Sequence, residues 1–147
     1  MTLANRPFLA PYEPVRPSEY WTVEGQRARL ADPARHDWLI LDDGAPAGTV
    51  SLSNVGRGHL QRAIISYWVA ESRGGRGLAT AAVAGVAGIA FERLDLHRLE
   101  AGTLVDNVRS QRVLEKNGFD RIGLARKYLE IAGEWRDHVL FERIADG

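Results

Sequence analysis

The stretch RAIISYWVAESRGGRGLATAAVAGVAGIAF, Arg62 to Phe91, restricts the possible folds more than any other part of the chain. Its first nine residues are apolar on both faces of an extended backbone, which is the pattern of a central strand covered on both sides. From Ala79 to Asp95 the sequence is apolar nearly all round a helical wheel, which predicts a helix buried rather than lying on the surface. A covered strand leading through a short glycine-rich turn into a covered helix requires a sheet with helices packed on it.

The remaining segments supply those layers. Ser18 is expected to cap a helix through EYWTVEGQRARLAD that Pro33 ends. DWLILDD reads as a short strand. GTVSLSNV alternates, with Val50, Leu52 and Asn54 on one face and Thr49, Ser51 and Ser53 on the other. HRLEAGTLV reads as a strand that turns Leu99, Ala101, Thr103 and Val105 inward. DNVRSQRVLEKNGF reads as a helix with Asn107 as N-cap and Gly118 at a left-handed stop. RIGLARKYLEIAGEWRDHVLFERI reads as two strands joined by a tight turn at Ala132–Gly133. The order is helix, three strands, helix, strand, helix, hairpin. It describes one α+β, or mixed α/β, domain over residues 1–147, with residues 1–17 an irregular, proline-rich N-terminal segment.

Composition excludes several chemistries. With no cysteine, the chain has neither disulfides nor thiolate metal ligands nor a cysteine nucleophile, and this fits a cytoplasmic protein. The four histidines, His36, His59, His97 and His138, have no metal-ligand spacing, so no metal is expected. Nineteen basic and nineteen acidic residues cancel, which argues against a nucleic-acid partner. No apolar run approaches the roughly 20 residues of a membrane-spanning helix, and the N-terminus lacks a signal-peptide pattern, so no membrane partner is expected.

The turn ESRGGRG can hold an anion. The first amides of a helix have no partner inside the helix, and its dipole places partial positive charge there. Gly74, Gly75 and Gly77 allow close backbone approach and φ > 0, and Arg73 and Arg76 add charge. The spacing matches neither GxxxxGK[ST] nor GxGxxG, so a nucleotide P-loop and a dinucleotide fingerprint are disfavoured. On this stretch alone, a plain tight turn and a phosphate site are about equally supported.

Taken together, YWVAESRGGRGLATAAV and DNVRSQRVLEKNGF resemble the GCN5-related N-acetyltransferase family. In that family a central strand leads into a loop with Gln or Arg first, Gly fourth and Gly or Ala sixth, which binds the pyrophosphate of acetyl-CoA. Gly77 and Ala79 match the fourth and sixth positions; Gly74 stands at the first, with Arg73 one residue early. GTVSLSNVGRGHLQ, SYWV, NVRSQRVLEKNGF and GEWRDHVLFERI are similar to the RimJ/RimL branch of ribosomal-protein N-terminal acetyltransferases, and NRPFLAPYEP resembles that branch's NR-x-x-L-x-P-W-x-P with Tyr12 in the tryptophan position. Branch members begin with a strand and most of a helix before this motif, whereas here only Met1 to Ala4 precede it. The first strand is therefore expected to be missing, with its edge covered by a partner chain such as a second copy in a homodimer, or with the true start lying upstream.

The resemblance implies a splayed, mostly antiparallel sheet flanked by helices. Acetyl-CoA is implied along Trp68, Val69 and Ala70 and on Gly74, Gly75, Arg76, Gly77, Leu78, Ala79 and Thr80, with Asn107 contacting the pantetheine arm. Ser110 is implied close to the sulfur, where it hydrogen-bonds or protonates the leaving thiolate. Glu134 is the expected base, with Asp137, His138 and Glu71 as alternatives, and a water relay can serve because an α-amine has a pKa of about 8. Asn54, Arg57, Tyr67 and Trp135 are expected to line the acceptor site. The acceptor is expected to be a protein N-terminal amine. A small-molecule amine on the same fold, or a non-catalytic CoA-binding sensor, are the rival readings.

Overall fold

The computed structural model of the protein describes residues 2–146. Short helical turns occupy residues 3–12, among them α1 (Arg6–Leu9), so the proline-rich start is less irregular than its composition implies. A further turn at Ser18–Trp21 leads into α2 (Val23–Leu30). Then follow β1 (His36–Asp42), β2 (Ala45–Gly56), β3 (Arg62–Val69), α3 (Leu78–Glu92), β4 (Arg98–Leu104), α4 (Val108–Lys116), β5 (Asp120–Ile131) and β6 (Glu134–Ile144).

The strands form one mixed sheet in the order β1-β2-β3-β4-β6-β5. Every neighbouring pair is antiparallel except β3–β4, which is parallel because α3 carries the chain back across the sheet between them. That parallel pair is short. It joins only Arg62 to Arg98, Ala63 to Leu99 and Ile64 to Glu100, while β3 stays paired with β2 out to Val69 and β4 stays paired with β6 out to Leu104. Beyond Ile64 the two halves of the sheet therefore separate. The residues Leu52, Val83, Leu99, Leu114 and Phe141 are fully buried between the sheet and the helices. β1 is an edge strand and leaves Leu39 and Leu41 exposed.

Four local expectations are corrected. Ser18 caps nothing; the cap of α2 is Thr22, whose Oγ1 accepts from the Gly25 amide at 3.0 Å. The turn before it folds the chain back so closely that a Cβ on Gly25 would lie 1.9 Å from the Glu19 carbonyl oxygen. In α3 only Val83, Val86, Ala87 and Ala90 are buried, because its other apolar residues are mostly alanine and glycine, which drive neither face inward. Val105 is exposed because β4 has ended at Leu104. Asn54 does not continue the alternation of Val50 and Leu52, because β2 bulges between Ser53 and Gly56 and Asn54 takes φ 51°.

Asp37 ties β1 to β2. It receives Arg35 at 2.8 Å and the Ser51 hydroxyl at 2.6 Å, with Arg29 at 3.6 Å. Burial alone would raise its carboxyl; the hydrogen bonds from Arg35 and Ser51 and the charges of Arg35 and Arg29 outweigh burial and hold it below the ordinary range. A depressed folded-state pKa stabilises the fold above the unfolded value of about 3.9, and that stabilisation disappears as pH falls through the folded value. Asp37→Asn should therefore melt below the wild type at neutral pH, with the two melting temperatures converging as the pH falls through the depressed folded-state value. A constant gap across that range would show that the charge contributes nothing.

Candidate active site

The turn after β3 is built around backbone conformation. Gly75 takes φ 77° and Gly77, the residue that starts α3, takes φ 74°, both in the left-handed region that favours glycine. Gly77 supplies no side-chain cap, and among the described residues no acceptor meets the amides from Gly75 to Thr80. A Cβ at Gly75 or Gly77 would have nothing within 4 Å, so the turn borders open space. Asn117 fixes the first turn of α3, its Nδ2 donating to the Thr80 carbonyl at 3.2 Å from the end of α4. The result is a rigid row of free N–H groups at the positive end of a 15-residue helix.

Two expectations at this turn change. Gly74 is extended, with φ −69° and ψ 160°, so no left-handed backbone requires glycine there. Arg109 of α4 brings its Nη1 to 3.7 Å from where a Gly74 Cβ would stand, placing a guanidinium beside the position at which the sequence lacks Gln or Arg. Arg73 and Arg76 do not reach forward over the amides. Both bind the Asp42 carboxylate, at 2.9 and 2.7 Å, and so brace the loop against the end of β1. Asp42, near the end of DWLILDD, had no sequence signal for this role.

The separation of β3 from β4 opens a cleft of about 520 Å³. Trp68 and Val69 lie on β3 beyond its last pair with β4, so that edge of the strand is free for a ligand. Ala70 is not equivalent, because its amide already donates to the Ala47 carbonyl at 2.6 Å.

Across the cleft, Asn107 is the N-cap of α4, its Oδ1 accepting from the Ser110 amide at 3.2 Å. Tyr67 Oη lies 2.7 Å from Ser110 Oγ and 3.2 Å from the Ser110 carbonyl. Tyr67, Asn107 and Ser110 all line the cleft. Burial pushes the Tyr67 phenol up to about 12, partly offset by its hydrogen bond with Ser110. The phenol is therefore neutral and serves as a donor. When Tyr67 donates to Ser110 Oγ, the serine hydroxyl hydrogen is left to point at a third atom.

Of the four residues considered as bases, only His138 lines the cleft. Its Nδ1 sits 2.9 Å from the Arg136 carbonyl, which can only accept, so Nδ1 carries the hydrogen and Nε2 of the neutral ring is the acceptor. Glu134 is at the exposed tip of the β5–β6 hairpin and does not line the cleft, contrary to its expected role as base. Asp137 is engaged, accepting from the Lys127 amide at 2.8 Å at the bulge of β5. Glu71 lies in the exposed turn before Gly74. Among the expected acceptor residues, Asn54 and Tyr67 line the cleft. Trp135 does not; it is 61% exposed beside Glu134. Arg57 does not either, and donates to the Leu94 carbonyl instead. Cleft residues without a sequence signal include Glu13, Arg16, Tyr20 and Tyr128; Thr103, expected to face inward, is buried there, and its Oγ1 has no partner among the described residues.

Residues 4–120 match the acetyltransferase (GNAT) domain family. The chain belongs to that family. As a GNAT protein it is an acetyl-CoA-dependent N-acetyltransferase, and the open amides at the start of α3 and the free edge of β3 fit a diphosphate followed by an extended arm. The probable N-acetyltransferase YjcK of Bacillus subtilis is 42% identical over 143 residues, covering 91% of this chain and 79% of that protein. The ribosomal protein uS5-alanine N-acetyltransferase of Escherichia coli is 33% identical over 145 residues, covering 92% and 75%. Among solved structures, Mycobacterium smegmatis RimJ in complex with CoA-disulfide superposes with a TM-score of 0.88 at 37% identity, covering 97% of this chain and 73% of that one. This GNAT chain thus shares its overall fold with the RimJ structure. No helix among the described residues is long and apolar enough to cross a membrane, and none of their His, Asp and Glu side chains group to hold a metal.

Proposed function

We propose that this chain acetylates the N-terminal α-amine of a protein or peptide. The observation that carries the proposal is the cleft at the β3–β4 split, where the Tyr67–Ser110 pair faces the space between the free edge of β3 and the start of α4. The substrate in the name of the E. coli relative, an alanine of ribosomal protein uS5, supports a protein acceptor.

In this reading the amides of Gly75 to Thr80, with Arg109 beside Gly74, hold the CoA diphosphate, and the pantetheine arm runs along Trp68 and Val69 past Asn107. The acceptor amine attacks the thioester carbonyl carbon, a C–N bond forms as the C–S bond breaks, and the Ser110 hydroxyl donates to the departing thiolate. Tyr67 orients Ser110. The amine proton leaves to His138 Nε2. An α-amine with pKa of about 8 is roughly one-tenth neutral at pH 7, so the base has little work to do.

Mass spectrometry after incubation with acetyl-CoA should show one acetyl group on the terminus of an alanine-starting peptide. The same peptide with a blocked terminus and an internal lysine should stay unmodified. Acetylation of the lysine or of a diamine at equal rates would contradict the proposed acceptor.

A further inference from the structure

Glu13 and Arg16 stand out because each lines the cleft and each keeps hydrogen-bonding capacity that no described group uses. The segment carrying them is fixed: the Ala132 amide of the β5–β6 turn donates to the Glu13 carbonyl at 2.8 Å, and Leu9 just before it is buried. The Glu13 carboxylate is half-buried and feels the charges of both Arg16 and Arg29, yet it makes no hydrogen bond or ion pair among the described residues. Burial raises its pKa, and the two arginines only partly offset this. Arg29 is committed elsewhere, to Asp37 at 3.6 Å. The Arg16 guanidinium lies over the Tyr20 ring at 4.8 Å and its buried Nε has no acceptor.

A half-buried carboxylate that makes no hydrogen bond among the described residues and a guanidinium whose buried Nε has no acceptor lie on one wall, and a ligand that completed them would offset the cost of burying them. The ligand must bring a cation to one and a hydrogen-bond acceptor to the other. A peptide N-terminus does both, because its ammonium and its first carbonyl oxygen are separated by a single Cα. A polyamine offers cations alone and would meet Arg16 with like charge. A lysine side chain carries no carbonyl near its amine.

Building on the acetyl-transfer reading, we propose that Glu13 accepts from the acceptor's α-amine, as ammonium on arrival and as neutral amine once His138 Nε2 has taken a proton, while the Arg16 guanidinium donates to its first peptide carbonyl. Arg16 then selects peptide termini over simple amines, and Glu13 serves any amine. The pair belongs to acceptor recognition and not to acetyl-CoA binding.

Two variants test this against an alanine-starting peptide and 1,4-diaminobutane, with acetyl-CoA affinity followed by calorimetry and folding by thermal melting. Glu13→Gln should raise KM for both amines by roughly ten- to hundredfold, the loss expected for a charge-assisted hydrogen bond. Arg16→Met keeps an unbranched, apolar stem to cover Tyr20 and should raise KM for the peptide by about tenfold, leaving that for the diamine unchanged or lower. Acetyl-CoA affinity should move less than about twofold in both, well under the change expected from losing one hydrogen bond. Unchanged peptide KM in both folded variants, or equal shifts for peptide and diamine in Arg16→Met, would overturn the assignment while leaving acetyl transfer standing. If the wild type binds the peptide in a Glu13- and Arg16-dependent way but releases no thiol, the subsite stands and the proposed function fails.

Discussion

Gly77→Val should weaken acetyl-CoA binding by at least about a hundredfold while the protein stays folded. The left-handed backbone at Gly77, φ 74°, costs a residue with a Cβ roughly 1–2 kcal/mol, which a packed domain tolerates. The effect on the ligand is larger. A Cβ at Gly77 would project into open space at the start of α3, beside amides that no described group meets, and the branched side chain would compete with a phosphate for it. Hydrogen bonds from amides to a charged phosphate are worth about 1.5–3 kcal/mol each, so disturbing two of them gives roughly 3–6 kcal/mol, or about a hundredfold to ten-thousandfold. Gly85→Ala is the control. Gly85 is an exposed helical glycine of α3 with nothing within 4 Å of its Cβ position, so alanine there should stabilise the helix slightly and leave affinity alone. Equal affinity in Gly77→Val, measured by calorimetry, would remove the phosphate from this turn.

Ser110→Ala should lower kcat by about a hundredfold or more, the usual range for a positioned acid, and change acetyl-CoA affinity by less than about threefold. The N-cap of α4 is Asn107, so the helix start survives the substitution. Tyr67 keeps the Ser110 carbonyl at 3.2 Å as a partner and is not left unsatisfied. In the proposed mechanism Tyr67 reaches the thiolate only through Ser110 Oγ, 2.7 Å away, so the two effects should not add: Tyr67→Phe in the Ser110→Ala background should cost little further. The pH profile gives an independent sign. A phenol raised to about 12 is protonated throughout the stable range, so no basic limb below pH 11 or so belongs to Tyr67. Additive losses in kcat, or a limb near pH 10 that vanishes in Tyr67→Phe, would contradict the relay.

How far these features are legible in the sequence depends on whether they are local. The strand, turn and helix over residues 62–92 are readable because period-two and all-apolar patterns sit next to glycines that permit φ > 0, and Gly75 and Gly77 adopt it. Asn107 and Gly118 are readable for the same reason, each fixed by its immediate neighbours, and the Ala132–Gly133 turn has φ 51° and 85°. The site residues that were misplaced all depend on distant partners. Glu134 and Trp135 share a promising stretch with His138, but the length of β6 carries them to the hairpin tip and leaves only His138 in the cleft. Arg73 and Arg76 look like phosphate ligands until Asp42, more than thirty residues away, engages both. Glu13 and Arg16 sit in a proline-rich segment with no periodic pattern, and distant contacts such as the hydrogen bond from the Ala132 amide bring them to the site. Ser18 fails as a cap because a turn inserted before α2 hands that role to Thr22.

Everything proposed for sulfur, amine and proton requires the diphosphate to sit on the amides that open α3. A titration of the ¹⁵N-labelled protein followed amide by amide tests this directly, with CoA in one arm and pantetheine, which has no diphosphate, in the other. The account predicts that CoA moves the resonances of Gly75 through Thr80 most and that pantetheine leaves them in place while shifting Trp68 and Val69. Saturable CoA binding that leaves Gly75 to Thr80 unmoved would contradict it.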